Sequence, residues 1–377
     1  MKKTFLFTLL LLLILNTLAV PVSATSSAPT VVTLPASAFN SGGLDAPRVT
    51  PLTGNRVLLM NRNGDDSSTL QMLDTSLHTV VWGRTLKLYD LAVVTVSKKI
   101  VLLTEENKAL KKLVLDYDGK VLSSDNFRYA LKLPKNTDEG FLTARWSAPS
   151  AGEPERIAIV NNGQFQLFQS PWLSSQVNYS LKLNLNDNYE DIRLLDVNYP
   201  GYPYVVMKYQ GSGIGSTTYF LRIINLFSKQ EYSLPFGSAQ RLGGHDIIYQ
   251  LNGKNLLVGT SHEERLGATI SNPEALQPVF YTYQLATGKL INSLTANFVP
   301  DQDVYGWKTQ LFGNTLFVQD LNNNSWRIYD ITQAQAALAT GEAAVPLILL
   351  QVNVEARSAV FLAPDGDDKA AIKTVKF

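Results

Sequence analysis

The fold is decided by residues 100–122, which read IVLLTEENKALKKLVLDYDGKVL. A β-branched and leucine-rich run is followed by a polar turn, a second apolar run, an Asp-x-x-Gly turn and the start of a third run. Short apolar runs bounded by turn residues are typical of antiparallel strands. The stretch therefore predicts a β-hairpin unit, and similar units recur along the chain.

Seven such units lie between residue 57 and the C-terminal end. Their first strands are predicted at 57–60, 100–103, 157–160, 204–207, 256–258, 316–318 and 359–362. A spacing of about 46 residues suits a four-stranded blade with its loops. We therefore predict an all-β chain that forms a single β-propeller of about seven four-stranded blades, with six or eight blades also possible. Two β-sandwiches in tandem are the alternative. Only residues 333–340 read as a helix.

The turns that end the second strands carry a family resemblance. Asp74 is followed eight residues later by Trp82, and further turns of the same kind read LDYDGKVL at 115–122 and YQLATGKLI at 283–291. They resemble the quinoprotein-like and WD40-like β-propeller superfamily, whose blades often join their outer strands by an Asp-x-x-Thr-Gly-Lys turn with a Trp a few residues on. The resemblance covers most of the chain and implies the propeller fold. Leu77 and His78 replace Thr-Gly before Trp82, so we predict no quinone and no other cofactor.

The N-terminal end has the pattern of an export signal. Lys2 and Lys3 precede an apolar run at 5–20, and Val-Ser-Ala at 22–24 is a small-residue cleavage site. We predict a signal peptide at 1–24, a linker at 25–46 and the propeller at 47–377. The protein is then secreted or cell-wall associated, without a membrane span once the signal is removed.

The last unit predicts only three strands, at 347–354, 358–363 and 371–377, where a blade needs four. The only unassigned strand-like segment is 31–34, which reads VVTL. We therefore predict that 31–34 pairs with 371–377 as the outer strand of the last blade, and so closes the ring. This pairing would also cover an exposed strand edge.

Composition excludes several functions. The chain of 377 residues has no Cys, which excludes disulfides, thiol nucleophiles and thiolate metal sites. Its formal net charge is +1, and it becomes −1 when Lys2 and Lys3 leave with the signal. A charge near zero predicts neither nucleic acid nor an anionic membrane as a partner. We expect a monomer.

Motifs for chemistry are sparse, and we predict no catalytic residue. HEER at 262–265 begins like a zinc-protease helix, but Leu266 occupies the position of the second His. GSGIGS at 211–216 lies between two predicted strands, so it is interpreted as a hairpin tip. Calcium is the one metal for which weak candidates exist: Asn186, Asn188, Glu190, Asp365 and Asp367.

Aromatic residues in predicted loops are the candidates for ligand binding. They are Trp146, Tyr199, Tyr202, Tyr305 and Trp307, which can stack on sugars or contact a protein, although core packing explains them equally well. We therefore predict an exported, non-enzymatic binding or scaffolding propeller at the cell envelope, with a protein or polysaccharide partner. The alternatives are a glycan-active hydrolase or lyase on the same scaffold and, ranked last, a quinone-dependent dehydrogenase.

Overall fold

The computed structural model describes residues 31–40, 46–63, 67–106, 109–126, 142–147, 155–161, 164–170, 175–180, 191–201, 203–213, 216–233, 247–252, 255–260, 262–266, 279–296, 304–333 and 336–377. Within these residues the regular structure is β-strand, apart from short 3₁₀ helices at Ala36–Phe39 and Thr95–Ser97. The predicted all-β class is confirmed.

The strands, numbered in chain order, form antiparallel sheets that we also number in chain order. Sheet 1 contains β2–β5 (Arg48–Pro51, Arg56–Arg62, Ser68–Asp74, Thr79–Leu86). Sheet 2 contains β6–β9 (Leu88–Val94, Lys99–Glu106, Ala109–Asp116, Val121–Asn126). Sheet 3 contains β10–β13 (Leu142–Ser147, Arg156–Asn161, Gln164–Gln169, Ser175–Ser180). Sheet 4 contains β14–β17 (Asp191–Gly201, Tyr204–Gly213, Ser216–Asn225, Glu231–Ser233).

The remaining sheets are built in the same way, with one insertion. Sheet 5 contains β18, β19, β21 and β22 (Ile247–Asn252, Asn255–Thr260, Val279–Gln284, Leu290–Thr295). Sheet 6 contains β20 (His262–Leu266) beside β23–β26 (Val304–Phe312, Thr315–Asp320, Trp326–Asp330, Ala339–Gly341). Sheet 7 contains β27–β29 (Ile348–Asn353, Ser358–Pro364, Lys369–Lys376) with β1 (Val32–Thr33) at its outer edge.

Buried apolar clusters lie between neighbouring sheets and join them. Pairs that share such a cluster are Leu58 with Leu102, Leu103 with Ile157, Val206 with Val258, Leu257 with Trp307, Phe317 with Phe361, and Leu350 with Leu59. Between sheets 3 and 4, β10 lies beside β14. The last sheet therefore packs on the first, which is a β-propeller arrangement. Both faces of a sheet are buried in it, and this explains why inner strands read as continuous apolar runs.

The segment before the first sheet packs into sheet 7. Val32 pairs with Ala370 and Thr33 with Lys369, in antiparallel register. The Leu34 N–H donates to the Asp368 carbonyl at 3.1 Å, and the Ala36 N–H donates to the Asp367 carbonyl at 2.8 Å. The observed strand is shorter than the predicted 31–34, and it meets the beginning of β29.

Two sequence interpretations need correction. Residues 36–39, assigned by composition to a linker, form a 3₁₀ helix whose Ala38 and Phe39 are buried in the core shared by sheets 7 and 1. Residues 333–340 do not form the predicted helix in their described part, because 339–341 pair with β25 instead. The free edge of β25 offers a ladder of hydrogen bonds, and tertiary pairing overrides the helix propensity of the Ala- and Gln-rich segment.

Candidate interaction face

One face of the ring is built from tight turns, and we call it the turn face. In each four-stranded unit it carries the turn between the first and second strands and the turn between the third and fourth. Its described turns with resolved side chains include 53–55, 75–78, 95–98, 117–120, 226–230, 285–289 and 354–357. Antiparallel pairing puts both kinds of turn at the same end of a sheet.

Contacts across the sheets show that these ends lie side by side. The Trp82 indole N–H donates to the Tyr117 carbonyl at 2.9 Å, and the Arg84 guanidinium donates to the Gly119 carbonyl at 2.6 Å. On the other side of sheet 1, the Gln351 amide donates to the Gly54 carbonyl at 3.2 Å. Side chains of β5 and β27 therefore contact turns of the neighbouring sheets 2 and 1 directly.

A carboxylate or amide oxygen fixes the backbone of several turns. Asp74 Oδ1 accepts the N–H groups of Ser76 and Leu77, both at 3.0 Å. Asn225 Oδ1 accepts the N–H groups of Phe227 and Ser228 at 2.9 and 3.0 Å. Such side-chain turns replace the missing backbone partners and fix the tip conformation.

The electrostatics of the Asp74 turn follow from this arrangement. Burial alone would raise the pKa of Asp74, but hydrogen bonds from the Ser76 hydroxyl and from the Leu77 and Ser76 N–H groups oppose it. The Arg56 guanidinium, 3.5 Å away, acts in the same direction. The pKa of Asp74 therefore lies below its ordinary value, and the carboxylate stays ionised at neutral pH.

The turns also share one residue of positive φ. It is a glycine in three turns, Gly54, Gly119 and Gly288, and a residue with a side chain in four others: His78, Lys98, Lys229 and Arg357 have φ of 54°, 50°, 57° and 46°. Left-handed backbone costs a non-glycine residue about 1 kcal/mol or more, so the surrounding hydrogen bonds must hold it. The same turn thus recurs without its glycine signature.

Exposed apolar side chains concentrate on this face. Among the described residues, eight of nine exposed large apolar side chains lie in its turns or in the first two residues of strands that leave it: Leu77, Val96, Val121, Leu122, Phe227, Leu290, Ile291 and Val354. Val96, Phe227 and Leu77 are 98%, 77% and 70% exposed. Single exposed apolar residues are normal, but their collection on one face makes that face a candidate interaction surface.

Cations accompany these apolar tips. Exposed Lys and Arg residues in or next to the turns are Lys98, Lys99, Lys120, Lys229, Lys289, Arg357 and Lys376. The exposed carboxylates in or next to the same turns are those of Asp118, Glu231 and Glu355, and the side chains of Asp74, Asp116 and Asp330 accept turn N–H groups. The turn face is therefore apolar and basic, which the net charge of the chain does not show.

Two of the predicted aromatic site residues lie in different buried clusters. Trp307 is 1% exposed and lies in the core between sheets 5 and 6. Trp146 is buried between sheets 2 and 3, where its indole N–H donates to Glu155. Tyr199 and Tyr305 lie on β14 and β23, and Tyr202 lies outside the described residues.

The contacts of Trp146 belong to an ionic network between sheets 2 and 3. Lys112 Nζ lies 2.6 Å from Glu155 and 3.0 Å from Asp125. Burial alone would lower the pKa of Lys112, but these two carboxylates raise it above its ordinary value. The network satisfies the indole N–H and fixes the two sheets in register.

Two of the weak calcium candidates lie among the described residues. Asp365 and Asp367 lie in the turn between β28 and β29, whose carbonyls bind the N-terminal segment. Asn186, Asn188 and Glu190 lie outside the described residues. Among the described residues, no group of three or more His, Asp or Glu side chains has the geometry to hold a metal ion. The 262–265 motif is part of strand β20, so it does not form a zinc-binding helix.

The sequence analysis did not identify the buried lysine Lys308. Lys308 on β23 is 4% exposed, and its Nζ donates to the Phe39 carbonyl at 2.5 Å and lies 5.9 Å from the Phe39 ring centroid. Burial lowers the pKa of Lys308 to about 7. A lysine that is half neutral at pH 7 can act as a base or nucleophile, but the 3₁₀ helix at 36–39 covers this one. Its structural effect is to anchor that helix.

No protein-family model and no curated protein matches the chain. The solved structures it matches include the CNH domain of AfRom2, at 9% identity over 93% of this chain and 99% of that one, with a TM-score of 0.45. The Cps50 (Swd1) β-propeller domain of Myceliophteria thermophila matches at 12% identity over 88% and 99% of the two chains, with a TM-score of 0.44. The β-propeller domain of the Trilobed protease from Pyrococcus furiosus matches at 11% identity over 87% and 92%, with a TM-score of 0.44.

These neighbours are β-propeller proteins of differing functions, and no specific protein is identified by sequence. In the part of the chain that the structure describes, no helix has the length and apolarity to cross a bilayer.

Proposed function

We propose that the protein is an exported, non-enzymatic binding or scaffolding propeller of the cell envelope, and that it binds through its turn face. The observation that supports this is the concentration of exposed apolar side chains on that face. Leaving them in water gains nothing for folding, so a partner that covers them is the simplest reason for their presence. A single rigid ring holds all these tips in fixed positions.

The architecture that we propose for this scaffold is a closed ring of seven blades. The seven sheets of the described residues support the count, and the pairing of Val32 and Thr33 with β29 supports closure by the N-terminal strand. Closure would bury both outer faces of the first and last sheets and so keep the turn face rigid.

The proposed location rests on the export signal at 1–24. N-terminal sequencing of protein recovered from the culture medium or cell wall should begin at Thr25. An intact Met1 on the recovered protein would contradict export by this route.

The binding role is tested by the capture of the exported protein on isolated cell envelopes. The double variant Val96→Ser/Phe227→Ser removes two exposed side chains that make no core contact, so it should fold normally. If envelope binding uses the turn face, the variant should bind at least tenfold more weakly, because each apolar contact contributes about 1 kcal/mol or more when buried. Val31→Ser, an exposed apolar residue away from this face, is the matched control.

Equal binding of the double variant and the parent would overturn the proposal. A parallel incubation with envelope polysaccharide tests the enzymatic alternative. Release of soluble sugar fragments that depends on protein concentration would show a glycan-active enzyme instead of a binding module.

A further inference from the structure

We propose that the partner of the turn face is the surface of a lipid bilayer that carries acidic phospholipids. This inference rests on the proposed function, since it names what the binding face contacts. It commits to a lipid surface, and a protein or a polysaccharide partner becomes an outcome of the test.

The first argument is that five of the six turns with exposed apolar side chains also carry a cation, the turn of Leu77 being the exception. Val96 precedes Lys98, Phe227 precedes Lys229 and Val354 precedes Arg357, and all six side chains are exposed. In the two turns that contain Gly119 and Gly288, the order after the glycine is Lys and then two exposed apolar residues. Residues that bind bilayer interfaces show this combination, because the apolar group enters the headgroup boundary while the cation meets lipid phosphates.

The second argument is how these cations are held. Lys98, Lys229 and Arg357 are the positive-φ residues of their turns, so the turn conformation itself places a cation beside each apolar tip. Five turns in four different sheets repeat the combination. Seven exposed cations lie on this surface with three exposed carboxylates, so it complements an acidic leaflet although the chain is nearly neutral.

The third argument concerns the shape of the partner. A protein interface usually has a contiguous apolar core surrounded by a polar rim. Here the apolar tips lie on separate turns, and five of these six turns carry a cation. A fluid lipid surface can meet separated tips without a matching shape, whereas a protein would need a pocket for each of them.

The experiment is co-sedimentation of the exported protein with vesicles. Exported material is used because the apolar run at 5–20 would itself bind lipid, and mass spectrometry confirms that residues 1–24 are absent. Vesicles of phosphatidylcholine with 30% phosphatidylglycerol are compared with pure phosphatidylcholine. We expect binding to the acidic vesicles, at least tenfold weaker binding to the neutral ones, and further weakening when the salt concentration rises from 0.05 to 0.5 M.

Charge reversal assigns the binding to this face. Lys120→Glu/Lys289→Glu changes two exposed cations on the turn face. It should weaken binding to acidic vesicles about 30-fold, because each lost cation weakens binding by about five- to sixfold. Arg48→Glu/Lys369→Glu changes two exposed cations at the opposite ends of the sheets by the same total charge, and it should bind like the parent. Equal loss in both double variants would show general charge attraction and overturn the inference.

A second measurement does not depend on charge. Phe227→Trp places an indole at a tip, and brominated lipids should quench its added emission only if the tip enters the bilayer. Absence of quenching together with absence of vesicle binding overturns the lipid inference. If envelope capture still depends on Val96 and Phe227 in that case, the proposed function stands and the partner is a protein or polysaccharide. If envelope capture is also unaffected, both proposals fail.

Discussion

Replacing Lys308 by Met should change how the stability of the protein depends on pH. In the folded state the pKa of Lys308 is lowered by burial to about 7, against an ordinary value of 10.5. Between these values the unfolded chain binds a proton that the folded protein lacks, so the free energy of unfolding rises with pH. This pH-dependent contribution to the free energy of unfolding is absent from Lys308→Met, whose side chain is apolar and of similar length.

The magnitude follows from the two pKa values. The slope approaches about 1.4 kcal/mol per pH unit once the folded lysine is neutral, and near pH 7 it is about half of that. Between pH 7 and pH 9 the wild type should therefore gain about 2 kcal/mol relative to Lys308→Met. The residues paired with Lys308 in the sheet are Gln319 on β24 and His262 on β20.

Urea unfolding at pH 7, 8 and 9 measures the difference directly. We expect the free energy of unfolding of Lys308→Met, relative to that of the wild type, to be highest at pH 7. At that pH the wild type must either bury an ammonium group or lose its proton on folding, and both are unfavourable. Lys98→Met, at an exposed position, should show the same pH dependence as the wild type. Parallel stability curves for Lys308→Met and the wild type would refute a lowered pKa at this position.

Three further predictions concern the joints between sheets, and urea or thermal unfolding checks each. Gly119→Ala should lower the free energy of unfolding by about 3 kcal/mol, because the new Cβ would lie 2.9 Å from the indole ring of Trp82. The control Gly54→Ala, at a similar positive φ but in open space, should lower it by only about 1 kcal/mol. Equal losses would exclude the contact with Trp82 as the cause. Gln71→Leu should cost about 2 to 4 kcal/mol, since it leaves the Thr33 N–H and carbonyl without their partners at 3.0 and 2.7 Å, and a neutral effect would contradict this role. Deletion of residues 25–36 should lower the melting temperature by more than 5 °C, because it removes buried Val32 and Leu34, and a melting temperature within 1 °C of the parent would contradict it.

The strands could be read from the sequence because most of them are short and bounded by strong turn residues. The hairpin expected at 211–216 is formed, with Gly213 paired to Ser216. The three strands expected at the C-terminal end lie at β27, β28 and β29. The hairpin and the three strands could be predicted because they depend on local patterns, namely apolar alternation and glycine turns. Such patterns need no knowledge of distant residues.

The turn face could not be predicted from local sequence patterns. Val96, Phe227 and Val354 are far apart in sequence, and only the packing of the sheets brings their turns to one face. The positive-φ positions at His78, Lys229 and Arg357 carry no glycine to reveal them. A visible signal did exist, namely an Asp or Asn four residues before each of these three, but it is too common to decide a turn by itself.

Net charge does not describe the turn face for a related reason. It sums over all faces of a molecule, whereas a partner meets one face at a time. The acidic residues of the turns are used inside the structure: Asp74 and Asp116 accept backbone N–H groups, so their charges face turn dipoles. The lysine side chains of the same turns are exposed. A chain that is nearly neutral can thus present a basic face, because its turns use carboxylates to hold their shape.

The seam between sheets 7 and 1 shows how the ring can be specific as well as stable. Apolar packing around Val32 and Leu34 would tolerate a shift of the strand by two residues, since such a shift keeps the same face inward. The Gln71 side chain does not tolerate it, because its amide meets both the N–H and the carbonyl of Thr33. A second clamp runs from the Thr75 hydroxyl to Gln351 at 2.8 Å. Polar clamps of this kind fix the register between the N-terminal segment and sheets 7 and 1. In the closed ring that we propose, a seam fixed in this way lets the turn face act as one rigid surface.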